Sequence, residues 1–193
     1  MEVNRSAQGE ETFFPEREIK FASFWSRFWA YFLDGLIIAA FFLPVTYFNV
    51  IQWKLPVIFM ISASMTIAYK PFMEYRFSAT FGKMALGIKV VGLNFERVTL
   101  KEVLSRVSFY IVPSILQQLY TLRIYFLPEF NSINSFIDYS KYASQSNAPI
   151  GWLEVLVFIL FILDCITFFR NEQNRFLHDI YAGTYVIETD KNQ

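Results

Sequence analysis

The chain has 193 residues, 54% of them hydrophobic and 20% aromatic, and its formal net charge is zero. This length fits one domain, and a neutral net charge gives no reason to expect nucleic acid as a partner. The single cysteine, Cys165, excludes a disulfide framework, and the single histidine, His178, excludes a histidine-rich metal site. We therefore expect neither a metal nor a cofactor. Long apolar blocks predict an integral membrane protein in a lipid bilayer.

The first half of the chain begins with a polar segment and continues with two apolar blocks. Residues 1–20 lack the apolar stretch of a cleavable signal peptide, so we expect a polar N-terminal segment there. About 20 mostly apolar residues are needed to cross a membrane. The next two blocks meet this length and predict spans over about 24–48 and 55–73.

The second half of the chain contains one weaker and one stronger candidate span. Residues 103–127 are long enough, but they carry Arg106, Arg123 and the pair Gln117–Gln118. An amphipathic helix lying in the membrane interface is the alternative for this segment. An Asn- and Ser-rich loop follows at 128–150, and an apolar block at about 151–169 predicts the last span. We expect an all-α protein, a bundle of four transmembrane helices.

The positions of Lys and Arg predict the orientation of this bundle. Cytoplasmic loops carry an excess of these residues near the ends of spans. On one side, the short loop after the first span has only Lys54, and the long loop over 128–150 has only Lys141. The other segments are basic and include Arg5, Arg17, Lys20, Arg76, Lys83, Lys89, Arg97, Lys101, Arg170, Arg175 and Lys191. This alternation predicts a multi-pass protein of the inner (cytoplasmic) membrane, with both termini in the cytoplasm and the 128–150 loop outside.

Several charged residues fall inside or at the edges of the predicted spans. A charge at the centre of a membrane helix costs about 2.5–3.5 kcal/mol on insertion scales, so such residues face the interior of the bundle. Asp34 lies near the midplane of the first span, and Arg27, about 10 Å away along the helix, is too distant to pair with it. Asp34 should therefore find its partner on another helix or in water. Lys70 and Glu74 have the i,i+4 spacing of a helical ion pair.

Together these residues predict a polar cluster in the cytoplasmic half of the bundle. Its members are Arg27, Asp34, Lys70, Glu74, Arg106 and Asp164. The cluster has two interpretations. It is an ion or proton site in which Asp34 titrates, or it is a structural ion-pair network that fixes how the four helices pack.

Two short segments outside the spans predict a small sheet. Residues 88–91 and 185–187 alternate in side-chain character and are rich in β-branched side chains, as strands are. We expect the two segments to pair as strands beneath the bundle. His178 and Asp179 then lie just before the second strand. Gly82 and Gly87 allow a tight turn or a close helix approach, and Gly183 allows a left-handed turn. The Gly82–Lys83 step is not a phosphate loop, because Met84 stands where Ser or Thr is required.

The step His178–Asp179 is compatible with acid–base chemistry. However, the sequence places no recognisable nucleophile or metal-binding pattern beside it. An aspartate that caps a helix or pairs with Arg27 or Arg175 is the simpler interpretation. We therefore expect that the protein is not an enzyme.

Three stretches, in this order, resemble the RDD family of bacterial membrane proteins, over residues 21–190. Residues Ala22–Asp34 resemble the opening of that family, and Ala79–Val91 its T-x-G-K-x-x-x-G-I-x-V-V segment. Residues Phe176–Ile187 resemble its closing L-H-D-x-x-A-G-T-x-V-V segment, which includes Gly183 and Thr184. The chain departs from the usual pattern in its long third segment and outer loop.

The resemblance implies which residues give the family its name, one arginine and two aspartates. Arg27 matches the arginine, Asp34 the first aspartate and Asp179 the second, and Asp164 is an additional acid. The resemblance implies a protein of generally unassigned function. A few members are associated with sodium–proton exchange, and RDD segments also occur fused to other membrane modules.

Two functions therefore stay open. The first is ion transport, of Na⁺ or H⁺, through the polar cluster centred on Asp34, in a protein that would form a homo-oligomer because four spans are few for a pathway. The second is a non-transporting adaptor or assembly factor that binds another membrane protein. Small size, aromatic-rich surfaces and the lack of a ligand motif are the reasons for the second, whereas the family resemblance favours transport by a narrow margin.

Overall fold

A computed structural model describes residues 19–147 and 150–189, and the fold is mostly helical. The predicted polar segment at 1–20 lies outside the described residues except for its last two. In chain order the α-helices are α1 Phe24–Phe48, α2 Pro56–Phe77, α3 Phe81–Ala85, α4 Leu100–Leu122, α5 Phe136–Asn147, α6 Trp152–Arg170 and α7 Leu177–Ala182. The two strands are β1 Ile88–Gly92 and β2 Thr184–Glu188.

Within the described part of the chain, three helical segments are long and apolar enough to cross a membrane. They are Phe24–Trp53, in which α1 continues as a π-helix from Asn49, then α2 and α6. These segments agree with the predicted spans over about 24–48, 55–73 and 151–169. Large apolar side chains on all three helices are exposed, as expected for surfaces that face lipid.

Helix α4 corresponds to the weaker third span predicted over 103–127, and it is not among the three apolar segments. It begins earlier, at Leu100, because Thr99 and Glu102 form a reciprocal capping box. It ends earlier, at Leu122, where the chain tightens into a 3₁₀ turn over Arg123–Phe126.

Two short helices and the sheet pack together at one end of the long helices, and we name this unit, α3 with β1 and α7 with β2, the cap. The two strands pair antiparallel in the register Ile88 with Glu188 and Gly92 with Thr184, which confirms the predicted sheet. Ala22, just before α1, donates its N–H to the Val186 carbonyl at 2.9 Å. The strands and the beginnings of α1 and α4 share a buried core of Ala22, Ala30, Ile88, Val90, Val98, Val103 and Val186.

The opposite end of the long helices is closed by the segment predicted as the 128–150 loop. This segment contains a 3₁₀ turn over Pro128–Ser132 and helix α5. Its Phe130 and Ile133 pack with Ile124 and Tyr125 into a second buried cluster. Apolar residues within an otherwise polar loop therefore order it against the ends of the helices.

Gly82 in α3 allows the cap to approach α1 closely. A Cβ atom added to Gly82 would lie 2.0 Å from the carbonyl oxygen of Ala30 and 2.9 Å from its carbonyl carbon. Both contacts are with backbone, which cannot rotate away as a side chain can. The glycine in the Gly82–Lys83 step is thus required by helix packing, one of the two roles predicted for it.

We expect Gly82→Ala to destabilise the purified protein by about 3 kcal/mol, because the added methyl group forces α3 away from α1. Thermal unfolding in detergent, followed by tryptophan fluorescence, measures the change. The matched control is Gly35→Ala, since a Cβ at Gly35 meets nothing within 4 Å. That control should gain up to about 1 kcal/mol, as alanine is favoured over glycine inside a helix. Equal melting of both variants would contradict the close packing.

Candidate functional site

Charged side chains from α1, α2, α3, α4 and α7 meet where the long helices join the cap. We name this group the charge network; its members are Arg27 (6% exposed), Glu74 (0%), Lys83 (9%), Arg106 (2%) and Asp179 (0%). Three cations therefore face two carboxylates in a space that is closed to solvent. Burial of such charges is tolerated only when they are paired.

Asp179 is the carboxylate that joins the two arginines. Its Oδ1 lies 2.6 Å from Arg106 Nη1, and its Oδ2 accepts a hydrogen bond from Arg27 Nη1. Oδ2 also accepts from the backbone N–H of Phe176 at 3.2 Å, which holds the first turn of α7. Asp179 thus connects α1, α4 and the cap through one side chain.

Glu74 is the second carboxylate of the charge network. Its Oε1 accepts a hydrogen bond from Lys83 Nζ at 2.6 Å, and its Oε2 lies 3.3 Å from Arg106 Nε. The predicted pair between Lys70 and Glu74 is replaced by these contacts. Lys70 Nζ instead lies 5.9 Å from the centre of the Tyr110 ring. The i,i+4 prediction is wrong because α3 and α4 bring stronger partners to Glu74 than its own helix supplies.

Asp164 in α6 joins this region through His178. The Nδ1 atom of His178 lies 2.8 Å from Asp164 Oδ2, and its Nε2 lies 3.3 Å from Asp179 Oδ1. Tyr110 in α4 also donates a hydrogen bond to Asp164 Oδ2. His178 therefore bridges the acid of α6 and the acid of the charge network.

Arg27 is held by aromatic rings as well as by Asp179. Its guanidinium carbon lies 5.5 Å from the centre of the Phe168 ring and 5.2 Å from that of Phe176. Its Nε and Nη2 atoms make no hydrogen bond to any described residue, although both are buried. The faces of the rings replace the missing acceptors by cation–π attraction.

The buried groups of the cap have shifted pKa values. Burial alone would raise the pKa of Asp179, but the charges of Arg106, His178 and Arg27 outweigh it and hold that pKa below its usual value. Burial lowers the pKa of Lys83 to about 8 even though Glu74 favours the charged form. Burial also lowers the pKa of His178 more than the neighbouring carboxylates raise it.

Asp34 has a different environment from the other acids. Tyr69 donates to its Oδ1 at 2.7 Å, Thr80 to its Oδ2 at 2.5 Å, and the Gly82 N–H to its Oδ1 at 2.8 Å. Of the two possibilities left open, a partner on another helix or water, the structure shows Tyr69 of α2, together with Thr80 and Gly82 at the start of α3. All three donors are neutral, and Asp34 makes no ion pair within the described residues. Its carboxylate is half-buried.

A polar cavity lies between α1, α2 and α4, on the side of Asp34 away from the cap. Its volume is about 210 Å³, and its lining is mixed: we name it for its polar side chains, but apolar ones also line it. The polar residues are Thr46, Asn49, Ser62, Thr66, Gln118 and Tyr125, and the apolar ones are Phe42, Ile58, Phe59 and Ala63. Thr66, at its inner end, is one helical turn from Tyr69, whose hydroxyl contacts Asp34. The side chains of Thr46 and Gln118 make no hydrogen bond to any described residue, so they are free to contact water or a solute there.

The structure separates the predicted cluster into three parts. Arg27, Glu74 and Arg106 belong to the charge network with Lys83 and Asp179, and Asp164 pairs with His178. Asp34 and Lys70 lie outside both groups, with Lys70 against the Tyr110 ring. Of the predicted motif residues, Gly87 and Gly183 adopt left-handed backbone with φ of 64° and 66°. Thr184 accepts a hydrogen bond from Arg106 Nη1 at 2.8 Å. Within the described ranges, no group of three or more His, Cys, Asp or Glu residues is placed to hold a metal ion.

Sequence reasoning missed two tyrosines of this region. Tyr69 and Tyr110 each donate to an intramembrane acid. Tyr110 lies four residues after Arg106, on the same face of α4. Its place in the polar cluster could therefore have been predicted from the position of Arg106. Tyr69 precedes Lys70 directly and had no comparable signal.

We expect Asp179→Asn to destabilise the protein by about 3–5 kcal/mol, because two buried arginines lose their shared carboxylate. Asp34→Asn is the matched control: an asparagine oxygen still accepts from Tyr69 and Gly82, so the loss should be about 1 kcal/mol. Thermal unfolding in detergent measures both variants. Equal losses would contradict the different environments of the two acids.

The effect of Asp179 should also depend on pH. Since its pKa in the folded protein is below the ordinary value of 3.8, its stabilisation is fully present above that pH and is lost as the pH falls further. The difference in melting temperature between wild type and Asp179→Asn should therefore shrink below that value. A difference that stays constant on acidification would show that Asp179 acts through packing and not through charge.

Comparison with known proteins gives one relationship. No curated protein and no solved structure matches the chain. Residues 21–183 match the RDD family. The match covers most of the chain and contains every residue of the charge network, together with Asp34, Asp164 and His178. The apolar helices and this match agree in describing a membrane protein. The protein is therefore a member of the RDD family.

Proposed function

We propose that this protein transports a cation or protons, Na⁺ or H⁺, across the membrane, with Asp34 as the group that binds or titrates. The observation that carries this proposal is the environment of Asp34. Every other described acid of the cluster is paired with a cation or an imidazole, whereas Asp34 is held by neutral donors alone. A half-buried carboxyl group with no cationic partner has oxygens to which an incoming cation or proton can bind.

The polar cavity supports a route to Asp34 from the side opposite the cap. Helix α2 carries Ser62, Thr66 and Lys70 at i,i+4 spacing, so these polar side chains lie on one face of the helix. The first two line the cavity, and Tyr69, beside the third, contacts Asp34. Polar groups inside a membrane bundle mark the paths of ions and protons.

The proposal includes α4 as a fourth span. Near its beginning, Arg106 joins the charge network, and near its end Gln118 lines the polar cavity. These two residues are about 18 Å apart along a helix, which is most of the thickness of the hydrocarbon core. Because α4 contacts both the charge network and the polar cavity, we favour a helix that runs the length of the bundle. An amphipathic helix lying in the membrane interface would not contact both.

We place the cap in the cytoplasm, with both termini on that side of the bacterial inner membrane. The distribution of basic residues supports this orientation. The cap end carries Lys20, Arg27, Arg76, Lys83, Lys89, Arg97, Lys101, Arg106, Arg170 and Arg175, whereas the opposite end carries Lys54, Arg123 and Lys141.

The test is ion flux into liposomes that contain the purified protein, measured for protons with a pH-sensitive dye and for Na⁺ with a sodium-sensitive dye. We expect flux from the wild type and background flux from Asp34→Asn, because the neutral side chain neither titrates nor attracts a cation. Glu154→Gln is the matched control, since Glu154 is an exposed acid outside the cavity and the charge network. It should keep wild-type flux.

Two outcomes would overturn the proposal. Full flux from Asp34→Asn would exclude Asp34 as the site. No flux from either protein, with melting curves that show both folded, would favour the adaptor function instead.

Helix α6 buries only Leu153, Asp164 and Phe168 within the chain, so it has surface left for another membrane protein. Co-purification from mild detergent would then be the next measurement.

A further inference from the structure

We propose that a cleft at the cap end of α2 binds the phosphate group of an anionic lipid. The cleft is open, has a volume of about 430 Å³ and is lined by Tyr75, Arg76, Arg97 and Val98. None of these residues belongs to the charge network, to the surroundings of Asp34 or to the polar cavity. The proposal is therefore independent of the transport function.

Arg97 is held in place by the end of α2. Its Nη2 donates to the carbonyl oxygen of Tyr75 at 2.9 Å and also to that of Arg76. The last carbonyls of a helix lack partners inside the helix, so Arg97 both satisfies them and is fixed by them. Its Nε and Nη1 atoms make no hydrogen bond to any described residue. A positioned guanidinium group with free donors remains available to a ligand.

Arg76 supplies the second positive charge of the cleft. Its guanidinium carbon lies 5.5 Å from the centre of the Phe77 ring, which restricts the side chain without neutralising it. Neither Arg76 nor Arg97 pairs with a carboxylate anywhere in 19–147 or 150–189. Guanidinium groups bind phosphate oxygens with two parallel hydrogen bonds, and this geometry favours arginine over lysine at such sites.

The position of the cleft along α2 favours a lipid as the source of the phosphate. Arg76 lies in the last turn of a helix that is long and apolar enough to cross a membrane, and Arg97, between β1 and α4, contacts that turn. Tyr75, Phe77 and Phe72 around them are exposed by 45%, 51% and 62%, the pattern of an aromatic belt at the depth of the headgroups. Two unpaired cations favour an anionic headgroup over a zwitterionic one, whose own cation would find no acid there.

The test is native mass spectrometry of the full chain in a neutral detergent, titrated separately with phosphatidylglycerol, phosphatidylcholine and inorganic phosphate. We expect one phosphatidylglycerol to bind more tightly than phosphatidylcholine or free phosphate. Arg76→Gln should weaken that binding about tenfold, the size of one lost charge-assisted contact. Arg170→Gln is the matched control, since Arg170 is an exposed arginine at the end of α6 and does not line the cleft. It should bind phosphatidylglycerol as the wild type does.

Melting curves of both variants establish that they are folded before binding is compared; Arg76 is exposed, so its replacement should leave the melting temperature unchanged. Equal phosphatidylglycerol affinity in wild type and Arg76→Gln would overturn the site. An equal loss in both variants would show attraction to basic charge in general and would also overturn it. Binding of inorganic phosphate as tight as that of the lipid would replace the lipid with a soluble phosphate ligand.

Discussion

The contact on which the rest of the structure depends is the pairing of Asp179 with Arg27 and Arg106. It joins the first long helix, the fourth helix and the cap at a point that water does not reach. A buried ion pair of this kind adds little net stability compared with an apolar core, but it excludes arrangements in which either charge would be buried alone. Arg106 also pairs with Glu74, and Glu74 pairs with Lys83 in α3, so the same need for paired charges applies to α2 and α3. The packing of the long helices is therefore specified by charge.

Asp34 and Gly82 add a second attachment between the cap and α1. The absent side chain of Gly82 lets α3 reach the backbone of α1, and the carboxylate of Asp34 then accepts the Gly82 N–H. Asp34 thus stabilises the start of α3, and its three donors are all neutral. Asp34 therefore connects α1 to Tyr69 of α2 and to the start of α3.

The features that sequence reasoning predicted correctly are those that arise from local pattern. Apolar length located α1, α2 and α6 within a few residues, and the β-branched residues after Gly87 and Gly183 located the two strands. The ends of α4 and the partner of Glu74 depend on tertiary contacts. The i,i+4 rule favoured Lys70 for Glu74, but α3 and α4 supply Lys83 and Arg106, whose positions follow from the fold and not from spacing. The polar cavity likewise needs three helices to exist, so no single segment indicated it.

The separation of Arg27 and Asp179 by 152 positions in the chain has a consequence for biosynthesis. The N-terminal part of a protein is made first, so α1 must enter the bilayer while the partner of its arginine has not yet been synthesised. Arg27 lies in the first turn of α1, where its long side chain can extend to the lipid headgroups until Asp179 has been synthesised. The ion pair closes only when the residues after α6 emerge from the ribosome. A nascent chain that stops short of α7 therefore lacks the link between α1 and α4 through Asp179, although Glu74 already has Lys83 and Arg106 as partners.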